Sequence, residues 1–297
     1  MWVALTGTGY PRPHPERAGP GTLVRAGDVT LQFDAGRGTA MRLAALGVSC
    51  RDLDAVALTH HHSDHLVDLA DLALSRWTVL DREGPDTALT VIAPEGAAGR
   101  FAARLLEPWA EDIAIRVRQT GRDTRPQVRC LTFEVGAQAA PVWSSGAVVL
   151  RAVRVHHEPV EPAVAYRVDA PDGAVVVSGD TRVCDEVEAL ARGARVLVHE
   201  VIRAAPMGAT RSAGVVAYHA DSVALGGLAA RAGVEMLVLT HLIPAPAGVA
   251  DEEAYVADVR AGGYRGQVVV GRDLDMVTLG AASEVSAPGR LFPLGAK

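Results

Sequence analysis

Residues 58–66 (LTHHHSDHL) carry four of the chain's ten histidines within six positions, together with an aspartate. The segment follows an apolar run at residues 53–59 (LDAVALT), which is typical of a buried strand. Apolar residues then recur at helical spacing over residues 66–73. The sequence therefore predicts a strand-to-helix loop for the histidines, with Asp64 and His65 at the start of the helix.

Side-chain direction in such a loop separates these residues into two groups. In extended backbone, side chains two positions apart point the same way, so His60 and His62 can converge while His61 points elsewhere. Asp64 and His65 are expected to face the same cavity. Imidazoles with a carboxylate suit zinc, and they also admit manganese or iron. A chance histidine run or a tag is not expected between a strand and a helix, so the pattern predicts a metal site.

Composition limits the class of protein. With 297 residues, 49% hydrophobic and 22% charged, the chain can bury a sizeable core, and we expect a single domain over residues 1–297. A net charge of −6 argues against a dedicated nucleic-acid binder. Three isolated cysteines favour a reducing cytoplasm. No apolar stretch of about 18 residues occurs, so neither secretion nor a membrane span is expected.

Strand and helix patterns interleave along the whole chain. The predicted strands are 2–9, 22–36 (a hairpin), 53–59, 128–134, 147–155, 163–168, 174–178, 195–201 and 236–242, and the predicted helices are 39–47, 97–106 and 222–232. No internal repeat is present. This order indicates a mixed α and β fold, with two sheets and helices outside them.

The histidine segment contains the pattern T-H-x-H-x-D-H in full, which resembles the signature of the metallo-β-lactamase superfamily. Four further segments, in the same order as in that family, resemble its ribonuclease Z and arylsulfatase-like branch: GTGYPRPHPERAGPGTLV with LQFDAGRGT, VHHEPVEPAVAYR, VVVSGDT and LVLTHL. The resemblance implies an α/β fold (α+β) built as a four-layer αββα sandwich, a two-metal site where the sheets meet, and a homodimer.

The same resemblance implies a set of seven ligands for two zinc ions. His60, His62 and His157 would hold the first ion, Asp64, His65 and His241 the second, and Asp180 would bridge them. Position 157 is preferred to His156 because the family histidine directly precedes a proline-containing stretch and AYR. Mn²⁺ or Fe²⁺ could replace zinc at such ligands.

Two further polar residues have both a catalytic and a structural interpretation. Glu200 and His219 resemble the branch's pair that donates a proton to the leaving group, and with Asp64 they are the candidate catalytic residues. Helix capping by Asp221 or Ser222 explains the segment around His219 almost as well.

The remaining candidates lie on loops and strand ends. Asp34 resembles an aspartate behind the ligands that would orient an imidazole, although a strand-end turn explains it equally. Arg17 and Arg37 lie in loops that the family folds near the pocket, where either could bind an anionic oxygen, although most loop arginines are simply solvated. His199 should face away from Glu200.

A pair of metal ions that shares a hydroxide indicates a hydrolase. The expected substrate is a small-molecule ester, either a phosphodiester or an aryl or alkyl sulfate, and the alternative is a lactone or thioester. In tRNA-processing ribonuclease Z a long arm precedes the GDT strand, whereas only twelve residues separate Tyr166 from Gly179 here. Nucleic acid is therefore an unlikely partner, and tRNA processing or a non-catalytic scaffold is less expected.

Overall fold

Two β-sheets face each other in the computed structural model, which describes residues 1–78, 88–121, 124–205, 214–280 and 288–294. The strands of the first sheet are β1 Trp2–Gly7, β2 Gly21–Ala26, β3 Val29–Phe33, β4 Ala55–Ala57, β5 Ala88–Pro94, β6 Gln127–Phe133, β14 Met276–Leu279 and β15 Leu291–Leu294. Their spatial order is β15-β14-β1-β2-β3-β4-β5-β6. Strands β3 to β6 run parallel to one another.

The second sheet contains β7 Ala140–Ser145, β8 Val148–Arg154, β9 Val164–Ala170, β10 Gly173–Val177, β11 Val196–Ile202, β12 Met236–Ile243 and β13 Gln267–Val270. Its strands follow one another in the order β13-β12-β11-β10-β9-β8-β7. Strands β10 to β13 are parallel. Their carboxyl ends therefore lie at one edge of the sheet.

The helices cover the outer faces of the sheets. They are α1 Thr39–Ala45, α2 Leu69–Thr78, α3 Ala97–Ala103, α4 Ala110–Thr120, α5 Asp185–Ala191, α6 Ser222–Ala232 and α7 Val249–Ala261. Helices α1 to α3 pack on the first sheet, and α5 to α7 pack on the second. This arrangement confirms the predicted αββα sandwich.

One apolar core joins the two sheets. Alternating aliphatic side chains from both inner faces fill it, and Phe33 packs against Tyr166 with their ring centroids 5.5 Å apart. The Tyr166 hydroxyl donates a hydrogen bond to the Leu58 carbonyl oxygen at 2.7 Å. This bond ties the second sheet to the chain segment that leads into the histidines. A shared core of this kind makes the sandwich a single domain.

Most predicted elements are present, with a few differences. The predicted strand at 53–59 is reduced to β4, and Asp64 and His65 do not start a helix as predicted. They lie in a 3₁₀ turn, Ser63–His65, and α2 begins only at Leu69. The turn directs both side chains inward, where they are buried. Within the described residues, no helix is long and apolar enough to cross a membrane.

Helices α6 and α7 approach each other closely at glycine. A Cβ atom on Gly226 would collide with the Val259 carbonyl group, whereas the nearest atom to a Cβ on the adjacent Gly227 is the flexible end of Arg231, at 3.1 Å.

We expect Gly226→Ala to destabilise the protein by about 1–3 kcal/mol, because the two helices must move apart. The matched variant Gly227→Ala should be neutral or slightly stabilising, since alanine favours a helix over glycine by roughly 1 kcal/mol. Urea unfolding of both variants measures the difference. Equal stability of the two variants would contradict this packing.

Candidate metal centre

The predicted ligands of the histidine segment lie in the loop after β4. The ring centroids of His60 and His62 are 4.8 Å apart, and those of His60 and His65 are 4.2 Å apart. His61 is exposed, as the alternation of side chains predicts. His60, Asp64 and His65 are buried.

Residues from three distant segments complete the cluster. His157 follows β8, Asp180 follows β10, and His241 lies within β12 near its carboxyl end. Two separate groups of potential ligand atoms, each within 4.8 Å of one another, result: His60, His62, His157 and Asp180 in one, and Asp64, His65 and His241 in the other. A third group, Asp180, His219 and His241, overlaps both of them. The structure therefore brings all seven predicted residues together.

Asp180 occupies the middle of the cluster. Its Oδ2 atom lies 3.3 Å from Nε2 of His65 and of His241, and 3.9 Å from Nε2 of His60 and of His157. One carboxylate oxygen thus faces both groups. This placement suits a bridging position.

Asp34 orients two of the imidazoles from behind. Its Oδ2 atom lies 2.7 Å from His65 Nδ1 and accepts a hydrogen bond of the same length from the Thr59 hydroxyl. Because that hydroxyl donates to Asp34, it can only accept from His60 Nδ1, 2.9 Å away. The chain of bonds assigns the Nδ1 proton to both His60 and His65, so the Nε2 atom of each ring points into the cluster.

Two site residues have an unusual backbone. Asp34 and His241 adopt φ values of 55° and 45°, in the left-handed region that residues other than glycine rarely occupy. Gly179, directly before Asp180, has φ 61°, and a Cβ atom there would lie 2.8 Å from Thr59 Cβ. Such conformations persist where surrounding contacts enforce them, and they concentrate at functional sites.

The charges of the cluster favour binding of a cation. Burial lowers the pKa of His60 well below its usual 6.5. Burial would also lower the pKa of His65, but Asp180 and Asp34 raise it well above that value. Burial would raise the pKa of Asp180, but His241 and His65 hold it well below 3.8. The Asp180 carboxylate is therefore ionised and His60 is neutral, which are the protonation states that metal ligands require. His65 has to release a proton before it can bind a metal ion.

Unpaired polar atoms test whether a cation fits. His60 Nε2, His65 Nε2, His241 Nε2 and Asp64 Oδ2 are buried without a hydrogen-bonding partner in the part of the chain that the structure describes. His157 Nε2 also lies 3.2 Å from His62 Nδ1. Burying several unpaired polar atoms is costly, and convergent lone pairs repel one another unless a positive charge lies between them. The donor set of imidazoles and carboxylates fits a divalent metal ion.

A second pair of residues borders the cluster. His219 Nδ1 lies 2.9 Å from Glu200 Oε1, which also accepts hydrogen bonds from the backbone amides of Thr181 and Ala220. Burial opposes protonation of His219, but Glu200 raises its pKa to about 9. Asp221 caps α6 by accepting from two backbone amides, so capping and the Glu200–His219 contact coexist.

Of the two adjacent histidines, His157 faces the cluster. His156 contacts the carboxylates of Glu158 and Glu186 at the surface. His157 Nδ1 donates to the carbonyl oxygen of Tyr218 at 3.1 Å, which leaves Nε2 free for the cluster. Tyr218 is not among the residues that the sequence predicts for the site. The sequence feature that points to this residue is its position beside His219, since aromatic residues make up only 4% of the chain.

Arg17, Arg37 and His199 are not members of the groups of potential ligands described above. Arg17 is 9% exposed, and its Nη1 donates hydrogen bonds to Thr8 Oγ1 and the Gly271 carbonyl oxygen. These bonds fix the loop after β1. Contact of Arg17 with an anionic oxygen stays a prediction. Arg37 is exposed. His199 is buried, and its Nδ1 contacts the Glu200 carbonyl oxygen.

Comparisons with known proteins agree with this geometry. Residues 30–242 match the β-lactamase superfamily domain. A ribonuclease Z from Mycobacterium bovis is 37% identical over 279 residues, which covers 93% of this chain and 97% of that protein. Another from Mycobacterium avium is 39% identical over 285 residues, covering 95% and 99%. This chain belongs to the metallo-β-lactamase superfamily, in its ribonuclease Z branch.

Solved structures of the metallo-β-lactamase superfamily share the fold. The metallo-β-lactamase fold protein YhfI from Bacillus subtilis matches with a TM-score of 0.69 and 21% identity, over 92% of this chain and 96% of that chain. The short form of human tRNase Z matches with a TM-score of 0.65 and 16% identity, over 95% and 100%. The fold, the relatives and the cluster together make this metallo-β-lactamase family member a metal-dependent hydrolase with a divalent metal site.

Asp34 provides a test of the support behind the ligands. We expect Asp34→Asn to weaken zinc binding about 10-fold to 100-fold, because His65 and Thr59 lose their charged acceptor. Competition with a fluorescent zinc chelator measures the affinity. Asp28→Asn, in the exposed turn between β2 and β3, should bind zinc like the original protein. Unchanged affinity in Asp34→Asn would refute this role.

Proposed function

We propose that this protein hydrolyses phosphodiesters, with two divalent cations held by the cluster. His60, His62 and His157 would hold one cation and Asp64, His65 and His241 the other, with Asp180 between them. Zinc is the expected metal because imidazole and carboxylate ligands suit it. The observation that carries the proposal is the Glu200–His219 pair beside the cluster, since it adds a proton donor to a metal site.

Bound cations at such a site lower the pKa of water towards neutrality and offset the charge that develops on the ester oxygens. Within the described residues, the groups of potential ligand atoms at the cluster contain no cysteine. The residues around the cations instead position the substrate and handle the proton of the leaving group.

The proton donor in this mechanism is His219. Its ring packs against those of His157 and His241, at 5.2 and 5.4 Å between centroids. Glu200 holds Nδ1, so Nε2 is the atom that can face a substrate. Without bound cations, burial opposes protonation of this ring but Glu200 raises its pKa to about 9, and the protonated ring can donate to an alkoxide as it leaves. An ester with a poor leaving group gains most from this step.

The choice of a phosphodiester rests on the relatives. Proteins 37–39% identical over nearly the whole chain are named ribonuclease Z, and ribonucleases cleave phosphodiesters. A sulfate ester or a lactone or thioester remains an alternative, since the same ligands can serve different bonds.

RNA processing is the second candidate, which the names of the relatives favour. Against it, β9 and β10 are joined by a two-residue turn, Pro171 and Asp172, where an RNA-gripping arm would have to emerge. The alignment with the M. bovis protein spans 279 residues and 93% of this chain, which leaves no room for a long arm in that relative either. The name of these relatives therefore does not by itself explain how this protein would bind tRNA. We rank a small phosphodiester first.

A panel of substrates tests the proposal. Zinc-loaded protein is assayed with bis(4-nitrophenyl) phosphate, a dinucleoside monophosphate, 4-nitrophenyl sulfate, a lactone, a thioester and a precursor tRNA. We expect the highest kcat/KM with the two small diesters. Faster turnover of the sulfate, of an acyl ester or of the precursor tRNA would overturn the proposal.

The role of His219 predicts a dependence on the leaving group. We expect His219→Ala to lower kcat on the dinucleoside monophosphate about 10²-fold to 10⁴-fold, because the alkoxide must leave without a proton. The loss on bis(4-nitrophenyl) phosphate should be much smaller, since nitrophenolate is stable unprotonated. Zinc content, measured in parallel, should stay unchanged. His61→Ala, which removes an exposed imidazole, is the control and should retain activity. Equal losses on both diesters would exclude a proton donor at position 219.

A further inference from the structure

Tyr218 places an aromatic ring against the imidazoles of the metal centre. Its ring centroid lies 5.0 Å from that of His157, with the planes at 77°, and 4.7 Å from that of His219, with the planes at 44°. The other aromatic contacts of these imidazoles in the described part of the chain are with other histidines. Among the described residues, Tyr218 is therefore the aromatic residue other than histidine that packs against these imidazoles.

Packing of the core does not explain this ring. Tyr166, Tyr255 and Tyr264 are buried and donate hydrogen bonds from their hydroxyls to backbone carbonyl oxygens. Tyr218 is half-buried, and its hydroxyl bonds to none of the residues that the structure describes. Its carbonyl group holds His157, but any residue has a carbonyl group. The ring of Tyr218 therefore does not have the structural role that the three buried tyrosines have.

We propose that the ring of Tyr218 selects substrates whose leaving group carries a flat aromatic ring, and that it does so by stacking. This inference rests on the proposed phosphodiesterase function and narrows its substrate class. A half-exposed aromatic face beside a polar site is a stacking surface for bases and aryl groups.

The position of His219 places the selected group on the leaving side of the ester. A proton donor must reach the leaving oxygen within hydrogen-bond distance. The substituent on that oxygen then lies next to His219, where the ring of Tyr218 is the adjacent apolar surface. A methyl leaving group is too small to cover this ring. A nucleoside or an aryl alcohol is large enough.

The test compares Tyr218→Leu and Tyr218→Phe on three diesters. The first is a dinucleoside monophosphate, from which a nucleoside leaves, and the second is bis(4-nitrophenyl) phosphate, from which an aryl alcohol leaves. The third is a nucleoside methyl phosphate, for which the release of methanol is measured. We expect Tyr218→Leu to lower kcat/KM for the dinucleoside substrate about tenfold to a hundredfold. Its effect on methanol release should be small. Tyr218→Phe, which keeps the aromatic face, should retain the selectivity of the original protein.

The outcomes separate stacking from a structural role. A loss on both ring-bearing diesters indicates recognition of any flat ring, and a loss on the dinucleoside alone indicates recognition of a nucleoside; both support the proposal. Equal losses on all three diesters in Tyr218→Leu would overturn it, since a displaced loop would disturb His157 whatever leaves. If the original protein cleaves none of the diesters, the proposed function fails, and this inference fails with it.

Discussion

Two buried carboxylates held among converging imidazole nitrogens are the constraint on which the site depends. Asp64 and Asp180 are buried beside an apolar core, and several nitrogen and oxygen atoms around them have no hydrogen-bonding partner among the described residues. An arrangement of this kind is expensive without a cation. The hydrogen bonds that His65 donates to Asp34 and that His60 donates to Thr59 add to this cost, because they turn the Nε2 atoms of both rings towards the same volume.

The topology of the sandwich brings these carboxylates and imidazoles together. Parallel strands β3 and β4 in one sheet and β10 to β12 in the other end at a common edge, so short loops deliver polar groups to one place. The apolar core beneath them fixes the distance between the sheets. Left-handed backbone at Asp34 and His241 shows where the chain bends away from regular strand geometry to present these side chains. The rigid layers thus hold the strained positions in place.

The fold class and the seven clustered residues could be predicted because the histidine segment and the strand-end aspartates and histidines form a pattern that single residues do not. The structure places these residues together, and their roles as ligands remain a proposal. The last helix, α7, was not predicted because only Tyr255 and Val259 are buried along it, so no apolar stripe is visible. Strand β15 contains Pro293, which argues against a strand except at an edge. Arg17 could not be placed, since its partners are 9 and 254 positions away.

Anomalous diffraction from crystals of the zinc-loaded protein tests the central claim most directly. The account predicts two zinc peaks per chain, one among His60, His62 and His157 and one among Asp64, His65 and His241, with Asp180 in contact with both. Zinc bound only at other residues, or no peak within the cluster at saturating zinc, would contradict it.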